Sequence, residues 1–376
     1  MVRLPLDLVP AGAILARTIY AASGQPILRA GHPLTGPVLE RLHSFDVEWV
    51  WIEDPAFAGL NPSEPLQPAT WLRLRQLLRD IATDLSAGRR DWLPAPRRAA
   101  LMELAGQVLE ELEALREPHL PYPAGRDPLD RWVAGTVNRM VLATRLALAG
   151  PYHRHARDFV LAALLQDLGA WTQPGGAPAP ACHPLARGER GHEEAEKHVA
   201  RSLRLLSGLE LGGLVRALVA QHHERLDGSG YPEGLRGQEV HPAAQRMGAA
   251  VAFALAVEGC AHRPPLLPHE AYEWLLAEAG HLYDRQVLIE LNQVLFPYPV
   301  GSLVEVDGRY WAVVVDCQGA RRLRPRVRLL ATGAGQGNAG REIDLLEQRT
   351  GAITGCILDA GAAGRCPAPG SGGGQG

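Results

Sequence analysis

The chain has 376 residues, a formal net charge of −3 and a sequence pI of about 6.5, so the basic excess or basic stripe of a nucleic-acid-binding protein is absent. Its 46% hydrophobic and 21% charged residues are an ordinary globular balance. The length leaves room for more than one domain of roughly 100–200 residues. Five cysteines (Cys182, Cys260, Cys317, Cys356 and Cys366) include no C-x-x-C pair, which fits a reduced, cytoplasmic setting. The N-terminus has no long apolar stretch of the signal-peptide kind. The longest apolar run, near 249–257, falls short of the roughly 20 residues that a membrane span needs, so no membrane insertion is expected.

In chain order, residues 1–56 read as a small α+β unit. Ala13 to Ala16, Thr18 to Tyr20, Pro26 to Leu28 and Val47 to Ile52 are strand-like. Thr35 stands where a helix N-cap would, ahead of Val38, Leu39 and Leu42. Residues 57–128 are expected to be a Pro-rich linker followed by a helical connector. Leu72, Leu74, Leu77, Leu78 and Ile81 recur at helical spacing there, and a break falls near 87–96. Residues 129–297 read as an all-α domain, with helices near 129–148, 155–168, 191–206, 211–223, 242–258, 269–279 and 284–295. A Gly-rich loop from Asp227 to Gly237 interrupts them. Residues 298–332 turn to β character: two β-rich runs flank Asp307-Gly308, a strong hairpin signal, and a third strand is expected from Arg326 to Leu330. Residues 333–376 are expected to form a flexible tail, since 361–376 is almost wholly Gly, Ala, Pro and Ser.

The chemistry concentrates around histidines. Adjacent His222 and His223 precede the Gly-rich loop, His198 stands alone on the helix before, and Asp167 ends a strongly apolar helix. One carboxylate and three imidazoles suit a single divalent zinc, iron or manganese ion. On a continued helix His222 and His223 diverge by about 100°, which would direct them to different partners. Each residue has a plainer reading. The paired histidines would favour the negative end of a helix dipole, His198 would be a solvated surface residue, and Asp167 would bond the backbone at a helix terminus. Arg225, Arg236 and Arg246 are either surface charges or phosphate ligands. Glu193, Glu194 and Glu196 read as a solvated helix face. The loop glycines, Gly228, Gly230, Gly234 and Gly237, are read as positions that need positive φ.

The segment His222-His223-Glu224-Arg225-Leu226-Asp227-Gly228-Ser229-Gly230-Tyr231-Pro232-Glu233-Gly234-Leu235-Arg236-Gly237 resembles the HD-GYP signature HHExxDGSGYPxGLxG at every fixed position. Further similarity lies in His241-Pro242 through Arg246-Met247, in Ala279 to Asp284, in Tyr298 to Val304 and in the N-terminal unit. The chain is thus similar to HD-GYP proteins of the HD metal-phosphohydrolase superfamily over about 1–56 and 129–315. The fold implied is mainly α: an all-α HD-superfamily helical bundle with a small N-terminal α+β domain and a C-terminal β-hairpin appendage.

The resemblance implies a metal-dependent phosphodiesterase that opens cyclic di-GMP to pGpG or GMP. Its metal ligands would be Asp167, His198, His222 and His223, with Asp167 the catalytic carboxylate. Asp227, Gly228, Gly230, Tyr231, Pro232 and Arg236 would form a loop toward substrate or toward a partner such as a diguanylate-cyclase (GGDEF) domain. The chain departs from the pattern at several places. HDIGK is here Gln166-Asp167-Leu168-Gly169-Ala170, which replaces the histidine and the phosphate-facing lysine. HxxR is Thr136-Val137-Asn138-Arg139. The aspartate of ARIxxVAD is Ala252, and of a downstream basic pair only Arg263 remains. These losses point to at most one bound ion, or none. They also point to a weak or inactive phosphodiesterase that acts by binding or docking, with homodimerisation an open alternative. An active phosphodiesterase is the other reading.

Overall fold

The computed structural model describes residues 1–21, 25–45, 47–53, 57–115, 119, 121–123, 127–173, 192–259, 264–330, 340–348 and 350–357, with only the backbone of 192–195. Arg263, three of the cysteines (Cys182, Cys260 and Cys366) and the side chains of Glu193 and Glu194 lie outside the described residues, as does 361–376. The chain divides into two compact units. One comprises 1–64, 117–126 and 296–376, and the other comprises 65–116 and 127–295.

The first unit is built on two antiparallel sheets. The N-terminal sheet holds β1 (Val2–Pro5), β2 (Ala13–Leu15), β5 (Pro33–Leu34) and β6 (Trp49–Glu53) in the order β1-β6-β2-β5, and β3 (Ile19–Tyr20) and β4 (Pro26–Leu28) form a small hairpin beside it. Helix α1 (Gly36–Ser44) starts after Thr35 as the sequence indicates, but the Thr35 side chain makes no capping hydrogen bond. The second sheet holds β7 (Leu303–Val306), β8 (Tyr310–Asp316), β9 (Arg326–Leu329), β10 (Glu342–Asp344) and β11 (Ile353–Cys356), in the order β10-β9-β8-β7-β11. The β7–β8 turn carries Asp307 and Gly308 at φ 57° and 63°, the left-handed pair of a type I′ hairpin. Residues alternate across β7–β8. Leu303, Trp311 and Val313 join a core with Leu4, Leu15 and Ile52, while Val304, Val306, Ala312 and Val314 join a second core on the opposite face. Both faces are covered, which is why β8 reads as a continuous apolar run from Tyr310 to Val315.

Two expectations change here. The hairpin grows into five strands. Two of those strands come from 333–376, where low-complexity composition had suggested no structure; Ile343 and Ile353 anchor them in the second core. The segments 1–56 and 298–332, read from sequence as separate pieces, share one apolar core within this unit.

The second unit is all-helical: α2 (Pro68–Ser86), α3 (Ala95–Ala114), α4 (Pro128–Ala149), α5 (Ala156–Leu165), α6 (His192–Leu206), α7 (Gly213–Gln221), α8 (Pro242–Glu258), α9 (Pro268–Ala277) and α10 (Arg285–Val294). Proline stands at the first turn of α4, α8 and α9, where its missing N–H is harmless. Asp127, His241 and Asp284 accept backbone N–H groups at helix starts. Helix α4 packs against α2, α3, α5, α8 and α10, so the helical connector expected over 57–128 supplies two helices, α2 and α3, that pack into the helical body. The facing side of α8 is rich in buried alanines, including Ala249, Ala250, Ala252 and Ala256, and small side chains allow two helices to approach closely.

Candidate metal centre

Three stretches of the helical unit converge. Helix α5 is apolar and buried through Leu165, and Asp167 then opens a 3-10 turn over Leu168–Thr172 without capping it. The backbone-bonded reading of the Asp167 side chain therefore does not hold. The turn lies directly on α6. A Cβ on Gly169 would come within 2.2 Å of the His198 carbonyl oxygen and 2.4 Å of the Ser202 nitrogen, so only glycine fits. The Gly169 N–H donates to Ser202 Oγ (2.9 Å), and Ser202 Oγ donates to the Gln166 carbonyl (2.6 Å). This clasp carries Asp167 to His198, which is 4% exposed and hence not a surface residue.

Helix α7 ends at Gln221, and the chain turns through His222 and His223. The expectation that the two would serve different partners does not hold. The two rings lie 4.1 Å apart between centroids, and both contribute to one cluster. One donor atom each from Asp167, His198, His222 and His223 lies within 4.8 Å of the others. Asp167 Oδ1 is 3.3 Å from His198 Nε2 and 3.6 Å from His222 Nε2, and the two Nε2 atoms are 3.4 Å apart. Donors placed about 2.0–2.2 Å from a tetrahedral zinc ion are separated by roughly 3.3–3.6 Å, so the spacing is that of ligands around one ion. His222 Nδ1 donates to the Val219 carbonyl at 2.8 Å, which turns the Nε2 lone pair inward. His223 Nε2 is buried and has no hydrogen-bond partner among the described residues. An orphaned imidazole nitrogen beside a carboxylate and two further imidazoles is a donor set that a divalent cation satisfies.

The electrostatics agree. Burial pushes Asp167 upward, but its polar contacts with His198 and His222 and the charge of Arg139 outweigh it and hold this carboxyl well below the ordinary carboxylate range. Burial lowers His222, partly offset by Asp167. Burial and the neighbouring rings lower His223 strongly. Neutral imidazoles facing a carboxylate are the protonation state that ligation requires.

The substituted positions offer no charged side chain to this cluster. Gln166 is fully buried. Its Nε2 lies 3.5 Å from Asp167 Oδ2, and its Oε1 has no partner among the described residues. Thr136 accepts from Arg139. Ala252 is fully buried on α8, and Ala170 is half-buried in the turn. Two acidic residues that sequence reading did not assign matter here. Glu258 bonds Arg139, with its own pKa raised by burial against the pull of Arg139. Glu290 takes Arg246 in two hydrogen bonds of 2.7 and 2.8 Å.

The loop after His223 is wound around a third unassigned residue, Glu224. Its carboxylate accepts the N–H groups of Glu233 (2.8 Å), Gly234 (3.2 Å) and Leu235 (2.9 Å). Asp227 accepts from Ser229 and pairs across the loop with Arg236. Gly228 has φ 80°, whereas Gly230 is there for close approach: a Cβ would lie 2.4 Å from both Arg225 N and His223 O. The Tyr231-Pro232 peptide is cis. The buried Tyr231 ring stacks on His223 at 4.5 Å, so loop and cluster share a side chain. Arg225 is buried beneath the loop over the Tyr283 ring and Arg246 is paired with Glu290. Of the three arginines only Arg236 is exposed.

A family model described as "HD domain" matches residues 107–287. Cyclic di-GMP phosphodiesterase PA4108 of Pseudomonas aeruginosa is 31% identical over 195 residues, 50% of this chain and 44% of that protein. Cyclic di-GMP phosphodiesterase PdeB of Borreliella burgdorferi is 24% identical over 156 residues, 42% of this chain and 40% of that protein. The chain thus spans less than half the length of these curated relatives. Among solved structures, the HDG"Y"P protein Bd1817 of Bdellovibrio bacteriovorus aligns with TM-score 0.45 and 16% identity over 78% of this chain and 98% of that one. The HD-domain match over 107–287, with a GYP-loop signature unbroken from His222 to Gly237, supports an HD-GYP protein of the HD superfamily.

Proposed function

We propose that this protein binds one divalent ion and a cyclic dinucleotide of the cyclic di-GMP class, with hydrolysis weak or absent and with binding or docking as its output. The observation that carries this reading is the convergence of Asp167, His198, His222 and His223 within 4.8 Å, beside Thr136, Gln166, Ala170 and Ala252, which offer no charged donor. Zinc, iron or manganese would be held by those four residues. Bound there, the ion would supply the Lewis acid that phosphodiester hydrolysis calls for. The protein's own part is positional. The Val219 carbonyl fixes the His222 tautomer, Tyr231 braces His223, and the Gly169–Ser202 clasp fixes Asp167. With no lysine at 170 and no carboxylate at 252, little remains to clamp a second phosphate oxygen. The exposed rim of the loop, around Glu233 and Arg236, is the surface offered to a signalling partner such as a GGDEF domain.

The test is elemental analysis of the full chain, with calorimetric titration of cyclic di-GMP and chromatography of products. Expected are one ion per chain, ligand binding, and turnover roughly a hundredfold or more below that of PA4108, the loss that removing one charge-stabilising group brings. Turnover equal to that of PA4108 would favour the active-enzyme reading, which the four convergent donors support. A chain that takes up neither metal nor ligand overturns both.

A further inference from the structure

The first unit contains a pocket of about 460 Å³, and every described residue that lines it belongs to that unit. The volume is near the lower end of the roughly 300–1,000 Å³ of small-molecule sites. Its lining is mostly apolar and stiff, with Pro121, Pro297 and Pro299 beside Trp49 and Cys356. Burial pushes the Cys356 thiol up to about 12, so that wall stays neutral near pH 7. Among the described lining residues the charged one is Arg3. A mostly apolar wall with a few fixed polar groups is the usual make-up of a small-ligand site.

Arg3 brings more positive charge to this pocket than its partners cancel. Its Nη1 donates to Glu64 Oε1 at 3.2 Å and its Nη2 to the Pro121 carbonyl at 2.6 Å, which leaves guanidinium donors over. The other Glu64 oxygen accepts from Arg17 Nη1 at 3.1 Å. One carboxylate thus serves two guanidiniums that both stay protonated, and one positive charge is left over. The Arg3 and Glu64 side chains are only 11% and 18% exposed, so water screens that surplus poorly. The Arg3 guanidinium also lies 5.7 Å from the Trp49 and Trp51 ring centroids, and these π faces attract a cation without neutralising it. Trp49 adds a second unmet demand. Its Nε1 is buried with no hydrogen-bond partner among the described residues, although a buried donor ordinarily finds an acceptor. A cation short of an anion and an N–H short of an acceptor therefore line one pocket.

We propose that this pocket binds a small aromatic carboxylate, whose anion pairs with Arg3 and accepts the Trp49 indole N–H while its flat ring packs among the three prolines. The inference does not rest on the metal-centre reading. The experiment titrates the full chain calorimetrically with benzoate, with benzamide as the uncharged ring and inorganic phosphate as the charge without a ring. Benzoate is expected to bind one site with a dissociation constant of roughly 1 mM or tighter. Benzamide is expected to bind about tenfold more weakly or not at all, the loss that follows when a hydrogen-bond partner gives up its charge. Phosphate in equal concentration is expected to leave benzoate bound. The site is located by maleimide labelling of Cys356, read by peptide mass spectrometry. At ten times its dissociation constant benzoate is expected to slow that labelling about tenfold, because only ligand-free protein reacts. Trp49→Phe keeps a ring but removes the N–H, and it is expected to weaken benzoate about tenfold. If that variant does not fold, Arg17→Gln takes its place. It lies outside the lining, cancels the surplus charge and is expected to weaken benzoate about threefold or more. Absence of benzoate binding overturns the proposal, as does benzamide binding equally well or phosphate displacing benzoate. Benzoate that binds but leaves Cys356 labelling unchanged, or that binds the folded variant as tightly as wild type, sits elsewhere and overturns it too.

Discussion

At the scale of single residues, the loop is held by hydrogen bonds that span the chain rather than by local turn chemistry. Glu224 accepts three backbone N–H groups, and it is 4% exposed, so those donors have little access to water. Bonds to a charged acceptor contribute about 1.5–3 kcal/mol each when buried donors would otherwise be stranded. Glu224→Ala is therefore expected to release the loop, with amide exchange at Glu233, Gly234 and Leu235 accelerated at least tenfold. Unchanged exchange at all three would show that the loop stands without its anchor. The role of Glu224 was not legible in the sequence, because a carboxylate that reaches amides nine to eleven residues ahead follows no periodic rule. His222 and His223 were legible as donors but not as convergent ones, since convergence with Asp167 and His198 depends on how three separated stretches pack. The chemistry of the cluster thus lay open in residue types, while its geometry lay in tertiary packing such as the Gly169 contact.

At the scale of elements, helix positions followed from apolar periodicity, and the α4 and α8 spans fall within a residue or two of their expected limits. Pairings between distant segments did not follow. Strands β1 and β11 meet partners far along the chain, Val2 with Ile52 and Cys356 with Val304, which short-range patterns do not reveal. The ion pair of Arg246 on α8 with Glu290 on α10 belongs to the same class. Both side chains are about nine-tenths buried, so removing one partner strands the other charge, at a cost of about 3–5 kcal/mol. Arg246→Met is expected to lower unfolding free energy by that amount, and the double variant Arg246→Met/Glu290→Leu to recover most of it. A double variant no more stable than the single would refute this. In the second sheet, Arg321 Nε and Nη2 both donate to Asp344 Oδ2, at 2.8 and 2.6 Å, and that hydrogen bond holds the Asp344 carboxyl below its ordinary value. A carboxyl whose folded pKa is depressed contributes stability above its unfolded pKa, near 3.9. That contribution is lost as pH falls through the folded value. Asp344→Asn should therefore lower the denaturant midpoint at neutral pH, and the gap to wild type should close as the pH is brought below about 4. A gap that persists in acid would mean that packing, not charge, ties β10 to the sheet.

At the scale of the whole molecule, no helix among the described residues is long and apolar enough to cross a membrane. A metal site assembled from three separated stretches exists only in the folded chain: Asp167 follows α5, His198 lies on α6, and His222 and His223 follow α7. Ion binding is then folding free energy. A ligand that binds only the native state stabilises it by about 2.7 kcal/mol at a hundred times its dissociation constant. For a unit of this size, each kcal/mol raises the midpoint by about 2–4 °C. Wild-type protein in excess Zn²⁺ or Mn²⁺ is thus expected to melt roughly 5–10 °C higher than in EDTA, and His222→Ala or His223→Ala to abolish most of that difference. Nonspecific binding to exposed carboxylates would stabilise wild type and variants alike, so a shift of equal size in His223→Ala would place the ion elsewhere and leave the buried cluster without its assigned role. Calorimetry across a series of ion concentrations separates the two cases further, because a single native-state site gives a midpoint that climbs with the logarithm of free metal.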